Sequence, residues 1–226
     1  MNRAARLRGL YVLTPDALDA DTLLTRLAAA IAGGARIVQY RRKLTEASAR
    51  IDEASRIARL CRDAGASLIV NDDARLAAEI GADGVHLGRD DGSVRDARAV
   101  VGSGAIIGVS CYDQLALAIE AQRQGADYVA FGSFFASNVK PHAVRPPVAL
   151  LADARRAVRC PIVAIGGITL ERAPGLVAAG ADALAVISDI FDAPDVQARA
   201  SAYSQLFGQA PDDIGNARND DHDLTQ

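Results

Sequence analysis

The chain repeatedly follows a short, continuously apolar run with a cluster of charged or hydrogen-bonding residues. Val38 is followed by a polar cluster at 39–43, Val70 by one at 71–73, and Leu87 by one at 88–91. Continuous apolar runs of this length predict strands that are buried on both faces, as in a parallel sheet. Polar groups at the C-terminal ends of several such strands are where a (β/α)8 barrel has its active site.

The same pattern predicts eight strands separated by amphipathic, Ala-rich helices. The strands begin near Leu10, Ile37, Leu68, Val85, Ile106, Tyr128, Ile162 and Leu184. The helices lie at roughly 21–32, 45–64, 74–80, 93–101, 114–124, 148–158, 169–179 and 195–207. Gly-Ala pairs begin at Gly34, Gly65, Gly81, Gly125 and Gly180, where a left-handed glycine can end a helix.

This organisation predicts the α/β class, a single-domain (β/α)8 TIM barrel over residues 1–207. Residues 208–226 are polar, and we expect them to form a disordered tail. No GxGxxG follows the first strand, which weighs against a dinucleotide-binding fold.

Composition excludes several other classes. The formal net charge is −3 over 226 residues, so neither nucleic acid nor a membrane surface is an expected partner. No segment predicts a membrane span or a signal peptide. The three cysteines lack CxxC spacing, which fits a reducing cytoplasm and argues against disulfides or zinc.

The polar cluster after the second predicted strand contains an anion-binding pattern. Gln39, Arg41 and Lys43 alternate, so at strand spacing their side chains point the same way, towards the barrel mouth. Arg42 points to the opposite side. An amide and two cations converging there would hold a polyanion. The alternative is that Arg41 and Lys43 cap helix carbonyls or face water.

Acidic residues end the next two predicted strands, at Asn71-Asp72 and at Asp90-Asp91. Mg2+ takes oxygen ligands and usually one or two carboxylates, with substrate phosphates and water completing its shell. One aspartate from each strand end would suit that ion. Alternatively, Asp72, Asp73 and Asp90 could each cap the helix that follows.

Two further strand ends fit a phosphate site. Gly166-Gly167 follows the seventh predicted strand, and Ile187-Ser188 ends the eighth. Loops at these two positions bind phosphate in many barrels, through backbone N–H groups. His86 lies between two apolar residues, and we interpret it as a packed core residue rather than a catalyst. No Ser/His/Asp triad is evident.

Taken together, these motifs resemble the thiamine-phosphate synthase family, also called thiamine-phosphate pyrophosphorylase. The resemblance runs from Gly9 to about Phe207. It includes QxRxK at 39–43, the Asn-Asp pair at 71–72, a segment that starts with GVHLG at 84–88 and ends at Asp91, GVS at 108–110, GADYVAFG at 125–132, GGIT at 166–169 and the Ile-Ser pair at 187–188.

The resemblance implies a transferase reaction on two small-molecule substrates. It joins 4-amino-5-hydroxymethyl-2-methylpyrimidine diphosphate to 4-methyl-5-(2-phosphooxyethyl)thiazole, giving thiamine monophosphate and pyrophosphate. The family chemistry is dissociative: pyrophosphate leaves with Mg2+ assistance, and the thiazole nitrogen attacks the pyrimidine methylene cation. The oligomeric state is not implied.

The resemblance also assigns residues. The pyrimidine diphosphate would be held by Gln39, Arg41, Lys43, Asn71, Ser110 and Lys140. Tyr40 and Arg42 are also counted among the substrate-binding residues, although the alternation places Arg42 away from the diphosphate. The thiazole phosphate would be held by Ser137, Asn138, Val139, Gly167, Ile187 and Ser188. Of these, Arg41, Lys43, Ser110 and Lys140 would act in catalysis, while Asp72 and Asp91 would bind Mg2+. Lys140 lies in a long connection, 133–147, which we expect to close over the substrates.

The sequence departs from the family at two places. The loop before Lys140 lacks the usual proline-threonine-x-threonine, having Val139 instead of a hydroxyl, and Arg89 stands where glutamine is common. Three alternatives remain: a thiazole tautomerase-like isomerase of the same fold, a catalytically silent phosphate-binding barrel, and a phosphate-binding barrel of the tryptophan-biosynthesis type. The cations and the two acidic strand ends argue against the first and the third of these, and the altered loop leaves the second open.

Overall fold

The computed structural model describes residues 7–42, 46–136 and 144–208. Eight parallel strands form a closed barrel in which each strand pairs with the next and the eighth pairs with the first. The strands are β1 (Gly9–Leu13), β2 (Ile37–Tyr40), β3 (Ser67–Asn71), β4 (Gly84–Leu87), β5 (Ile106–Tyr112), β6 (Tyr128–Phe131), β7 (Ile162–Ile165) and β8 (Ala183–Val186). The predicted TIM barrel is therefore confirmed.

Helices separate the strands and surround the barrel. They are α1 (Ala20–Ala32), α2 (Ala47–Asp63), α3 (Ala74–Glu79), α4 (Val94–Val101), α5 (Leu115–Arg123), α6 (Ala149–Ala157), α7 (Ala173–Ala178), α8 (Ser188–Phe191) and α9 (Val196–Gly208). The prediction missed α8, because four residues directly after a strand are too few to show helical periodicity. Within the described ranges, no helix is both long and apolar enough to cross a membrane.

The glycine stops are confirmed at the helix ends. The φ angles of Gly34, Gly65, Gly81, Gly125 and Gly180 lie between 66° and 111°. Only glycine adopts this region without a Cβ penalty, so the chain turns there from helix to strand.

Two apolar cores follow from the alternation along each strand. In β1, Tyr11 and Leu13 point into the barrel, while Leu10 and Val12 pack against the helices. In β2, Ile37 belongs to the inner core and Val38 to the outer one. The same alternation decides which side chains beyond the end of β2 face the mouth of the barrel.

The N-terminal end of the barrel, here called the base, is held by three aspartates. Asp83, Asp127 and Asp182 precede β4, β6 and β8, and each accepts a backbone N–H near the start of the preceding strand. The donors are Leu68, Ile107 and Ile162, at 2.9, 2.9 and 2.8 Å. Arg98 also pairs with Asp127, and Arg155 with Asp182.

Candidate active site

The C-terminal ends of the strands surround two adjoining cavities. The mouth cavity, of about 660 Å³, is lined by residues that include Gln39, His86, Ser110, Gly167 and Ser188. A side groove of about 670 Å³ opens beside the ends of β2, β3 and β4. Arg41 and Asn71 line both, so the two cavities meet at these side chains.

Arg41 is held at this junction by residues of the loop that follows β1. Its backbone N–H donates to the Thr14 hydroxyl at 2.8 Å, and that hydroxyl donates to the Arg41 carbonyl at 3.1 Å. The Arg41 guanidinium lies 3.5 Å from the Asp16 carboxylate. The hydroxyl thus fixes the backbone just beyond β2, leaving the cation at the edge of both cavities.

Arg42 points to the other side, as the alternation predicts. Its guanidinium pairs with Glu53 of α2 at 3.0 Å and donates to the carbonyls of Pro15, Asp16 and Leu18. Arg42 borders the side groove. Its guanidinium, however, is already bonded to Glu53 and to the loop after β1, which it holds in place. The contacts do not support the substrate-binding role predicted for Arg42.

Tyr40 also faces outwards. Its hydroxyl donates to Glu53 Oε1 at 3.0 Å and lies 3.2 Å from the Arg50 carbonyl oxygen. Burial and the Glu53 carboxylate raise its pKa, which keeps the phenol protonated. The structure therefore places the Tyr40 side chain between the barrel and α2, and the predicted contact with substrate is not supported by its position.

The two predicted metal ligands line the side groove. Asp72 adopts a φ of 65°, and its N–H donates to the His86 carbonyl at 2.8 Å. Asp91 accepts the Gly88 N–H at 2.7 Å. Positive φ is uncommon for a non-glycine residue, though Asp is one of the residues that tolerate it, and such outliers gather at functional sites.

The donor set suits a hard cation that a phosphorylated ligand helps to hold. In the described part of the chain, no group of three or more His, Cys, Asp or Glu side chains could hold a metal ion alone. Two carboxylates beside Arg41 and Asn71 would leave positions for phosphate oxygens and water. These residues fit Mg2+ bound together with a substrate, rather than a permanent structural metal.

The capping alternative is correct for only one of the three aspartates considered. Asp73 caps α3 by accepting the Leu76 N–H at 2.9 Å, and it also pairs with Arg50. Asp90 does not cap α4, whose cap is Ser93, and it lines the mouth cavity. Asp72 precedes the cap of α3.

The loops after β7 and β8 form one wall of the mouth cavity. Gly166 and Gly167 have φ angles of 102° and 61° and pack against the segment after β6. A Cβ on Gly167 would lie 2.4 Å from the Ala136 carbonyl oxygen, so only glycine fits there. Ile187 and Ser188 belong to the same wall, at the start of α8, because β7 and β8 are neighbouring strands. The predicted phosphate residues are thus brought together.

Ser110 and Tyr112 reach the mouth cavity from an irregular end of β5. The pairing with β6 shifts register between these residues, and Tyr112 has a φ of 56°. The strand nevertheless continues to Tyr112. Arg89 stacks its guanidinium 4.8 Å from the centre of the Tyr112 ring.

A row of polar side chains crosses the barrel interior below the cavity. Gln39 Nε2 donates to the Tyr11 hydroxyl at 2.8 Å, which lies 2.9 Å from the Tyr128 hydroxyl. The Tyr128 hydroxyl lies 2.9 Å from His86 Nδ1, and His86 Nε2 lies 2.8 Å from Ser110 Oγ. We call these five residues the polar row.

The sequence interpretation found the ends of this row, Gln39 and Ser110, but missed its middle. Interpreting His86 as a packed core residue captured its burial but not its two side-chain bonds. The available signal was a tyrosine at an inward position of a buried strand, since a buried phenol needs a hydrogen-bond partner. A second signal was the glycine within the apolar run of β5, Gly108. The structure explains it, because a Cβ at this position would lie 2.0 Å from the Tyr128 ring.

Lys43, Ser137, Asn138, Val139 and Lys140 lie outside the described residues, as does the predicted tail from residue 209 onwards. Their predicted roles remain predictions.

Comparison with known proteins places the whole barrel in one family. A family model described as thiamine monophosphate synthase matches residues 10–190. A thiamine-phosphate synthase from an Azoarcus species is 55% identical over 89% of this chain and 98% of its own length. One from Thiobacillus denitrificans is 53% identical over 91% and 97%.

Solved structures agree. Thiamine phosphate pyrophosphorylase from Pyrococcus furiosus superposes with a TM-score of 0.80 at 30% identity, covering 92% of this chain and 98% of that one. Orotidine 5'-phosphate decarboxylase from Pyrococcus horikoshii, with a TM-score of 0.66 at 18% identity over 89% of this chain and 100% of that one, shares the fold alone.

Proposed function

The chain belongs to the thiamine monophosphate synthase family, a family of transferases, and from this premise we propose how its site works. It joins a pyrimidine methyl diphosphate to a thiazole phosphate, giving thiamine monophosphate and pyrophosphate. The observation that carries this proposal is the meeting of two cavities at Arg41 and Asn71. The side groove is lined by Asp72 and Asp91, and one wall of the mouth cavity is formed by the loops after β7 and β8, which contain Gly167 and Ser188.

This arrangement separates the leaving group from the acceptor. The diphosphate lies at the junction with the side groove, against Arg41 and Asn71 and within reach of Asp72 and Asp91. The pyrimidine lies in the mouth cavity near Gln39 and Ser110. The thiazole phosphate binds at Gly167, Ile187 and Ser188, on the opposite wall. The thiazole nitrogen then faces the methylene carbon from the side away from the diphosphate.

The chemistry is electrostatic. As the C–O bond breaks, negative charge grows on the departing pyrophosphate, and positively charged groups there stabilise the transition state more than the ground state. Arg41 supplies one such charge, and Lys43 and Lys140 are predicted to supply others. When bound by Asp72 and Asp91, Mg2+ supplies further positive charge to the leaving oxygens. No protein nucleophile is required.

The floor of the mouth cavity protects the cation. Val163, Ile165 and Ala185 line it and belong to the inner core or pack against it. This apolar part of the floor, beside the polar row, keeps water from the methylene cation, which water would convert to the alcohol. The predicted closing loop around Lys140 would cover the open side.

A reducing cytoplasm is the compartment we propose. Cys61, Cys111 and Cys160 are all free thiols, and the first two are buried. Unpaired cysteines are usual where glutathione and thioredoxin keep thiols reduced.

The test is to incubate the protein with both substrates and Mg2+ and to follow thiamine monophosphate and pyrophosphate together. We expect the two products in equal amounts, with neither formed when the thiazole phosphate is omitted, beyond slow hydrolysis. A protein that isomerises thiazole phosphates but forms no thiamine monophosphate would instead be a tautomerase-like enzyme. A protein that binds the ligands and converts neither would be a silent barrel.

A further inference from the structure

The polar row joins Gln39 and Ser110, the two side chains proposed to face the pyrimidine, through Tyr11, Tyr128 and His86. These five residues come from β2, β5, β1, β6 and β4, so the row ties five of the eight strands together. Tyr128 is fully buried, and Tyr11, at the floor of the mouth cavity, is only 1% exposed, so both hydroxyls find their hydrogen-bond partners among their neighbours in the barrel interior. Each hydrogen along the row must therefore be given to a neighbour in the row.

The bonds have a direction. Gln39 donates through Nε2, so the Tyr11 oxygen accepts and its single hydrogen goes to Tyr128. The Tyr128 hydrogen then goes to His86 Nδ1, which must be the unprotonated nitrogen of a neutral imidazole. His86 consequently carries its hydrogen on Nε2 and donates to Ser110 Oγ. The Ser110 hydrogen remains for a ligand.

The opposite direction is unfavourable. Tyr11 would then accept from both Gln39 and Tyr128, and among the described residues no further acceptor contacts its hydroxyl. Its own hydrogen would be buried without a partner, which costs more than a typical hydrogen bond contributes. Burial raises the pKa of both Tyr11 and Tyr128, so both phenols stay protonated and keep a hydrogen to give.

We propose that Tyr11, Tyr128 and His86 are positioning residues that fix the polarity of the pyrimidine site. They hold Gln39 with its carbonyl oxygen towards the cavity, as an acceptor, and Ser110 with its hydroxyl hydrogen towards the cavity, as a donor. This inference rests on the proposed function. An acceptor and a donor match an aminopyrimidine, which offers an amino group and an unprotonated ring nitrogen.

The polarity makes the site selective. In a 4-oxo-pyrimidine diphosphate, the exocyclic group becomes an acceptor and the neighbouring ring nitrogen becomes a donor. The Gln39 oxygen or the Ser110 hydrogen would then face a ligand group of its own kind, acceptor against acceptor and donor against donor. A site built around such bonds rejects the mismatched analogue strongly, because its buried polar groups are left unpaired. We expect the wild-type protein to prefer the 4-amino substrate by at least about 100-fold in kcat/KM.

The first test cuts the row at its centre. Tyr128→Phe keeps the ring that packs against Gly108 and removes only the hydroxyl. We expect the KM for the pyrimidine diphosphate to rise about tenfold, the KM for the thiazole phosphate to stay unchanged, and the preference for the 4-amino substrate to fall about tenfold. Without a fixed neighbour, the His86 ring and the Ser110 hydroxyl can reverse.

The matched control is Tyr203→Phe. Tyr203 is equally buried, and its hydroxyl bonds Asp189 at 2.8 Å, outside the row. It should lose stability as Tyr128→Phe does and keep the wild-type preference between the two pyrimidines. Equal preference in Tyr128→Phe and wild type would overturn the proposal, as would an equal loss of preference in the control.

The second test does not depend on activity. Nitrogen NMR of 15N-histidine-labelled protein identifies which imidazole nitrogen carries hydrogen. His86 is one of three histidines, and His86→Gln assigns its signals by their disappearance. We expect the neutral Nε2–H form in the free wild-type protein. The Nδ1–H form would overturn the proposal, even if every variant of Tyr128 failed to fold.

His86 also offers a conservative rescue. His86→Gln can place an amide N–H near the position of Nε2, whereas His86→Leu cannot donate. We expect His86→Gln to keep more of the 4-amino preference than His86→Leu, and equal loss in both would contradict a donor role. If the wild-type protein forms no thiamine monophosphate, the proposed function is refuted. The NMR result then still tests the direction of the hydrogen bonds in the polar row.

Discussion

Aspartates are placed at both ends of this barrel, and their surroundings differ. At the base, Asp83, Asp127 and Asp182 each accept a backbone N–H of the preceding strand, and arginines pair with the last two. At the mouth, Asp72 and Asp91 line an open groove next to Arg41. One residue type therefore stabilises the strand ends at the base and lines a cavity at the mouth, as barrels generally divide stability from chemistry.

The strongest test of this division is the mouth carboxylate Asp91. Asp91→Asn keeps an oxygen that can accept the Gly88 N–H but removes the charge proposed to hold Mg2+. We expect turnover to fall by about 10²–10³-fold, with little change in thermal stability, because only the stabilisation of the leaving pyrophosphate is lost. Steady-state kinetics and a melting curve measure the two effects.

Metal removal checks the same site independently. Excess chelator should abolish wild-type activity, and added Mg2+ should restore it. Full activity in chelator would refute the metal proposal. A drop in melting temperature in Asp91→Asn as large as that of a base aspartate variant would refute the division.

Arg41 and Arg42 extend the comparison to neighbouring residues. Arg41→Ala should lower kcat/KM, because it removes a cation beside the diphosphate. The fall should correspond to a loss of about 2–4 kcal/mol of transition-state stabilisation. Arg42→Ala should change kcat/KM little but destabilise the fold by about 3 kcal/mol, because it leaves the buried Glu53 carboxylate with the Tyr40 hydroxyl but without the cation that neutralises it. Kinetics and urea denaturation separate the two results, and equal kinetic losses would contradict the alternation.

Asp127 tests the base. Asp127→Ala removes the acceptor of the Ile107 N–H and the partner of Arg98, 2.6 Å away. We expect a loss of about 1–3 kcal/mol in the free energy of unfolding, and an unchanged KM for both substrates. Urea denaturation gives the first quantity. A rise in either KM without a loss of stability would show that the base takes part in substrate binding.

The smallest effect is expected from the thiols, which belong to neither end. Burial raises the pKa of Cys61 and Cys111 to about 12, so at pH 8 both remain protonated and unreactive. Iodoacetamide at pH 8 should leave both unmodified and activity intact, while urea should expose them. Rapid modification of either thiol in the folded protein, followed by mass spectrometry, would show that the shell of helices opens readily.

Several features of the site were predictable because they depend on strand period alone. The period of two places Gln39 and Arg41 on one side and Arg42 on the other, and the structure agrees for these described residues. The same rule assigns Tyr40 to the outer side, where its hydroxyl meets Glu53. Including Tyr40 among the binding residues followed the family pattern and disregarded that alternation.

The polar row was not predictable in the same way. Its members are separated by up to 117 residues, as between Tyr11 and Tyr128, and no local pattern couples them. A lone histidine between Val85 and Leu87 has the same sequence context whether or not it is bonded. Likewise, capping was right for Asp73, which directly precedes α3, and wrong for Asp90, because Ser93 directly precedes α4 and accepts the Asp96 N–H instead.

The sequence by itself determined the number of the strands and their positions along the chain, the glycine stops, and the side of the barrel to which each residue at the end of β2 points. Those properties follow from local backbone preferences and from the periodicity of apolar residues. Tertiary structure alone decided which aspartates meet a cavity, how the side groove joins the mouth, and which nitrogen of His86 faces Ser110. Closing the barrel brings distant strands together, and only that closure sets the distances on which hydrogen bonds and charge interactions depend.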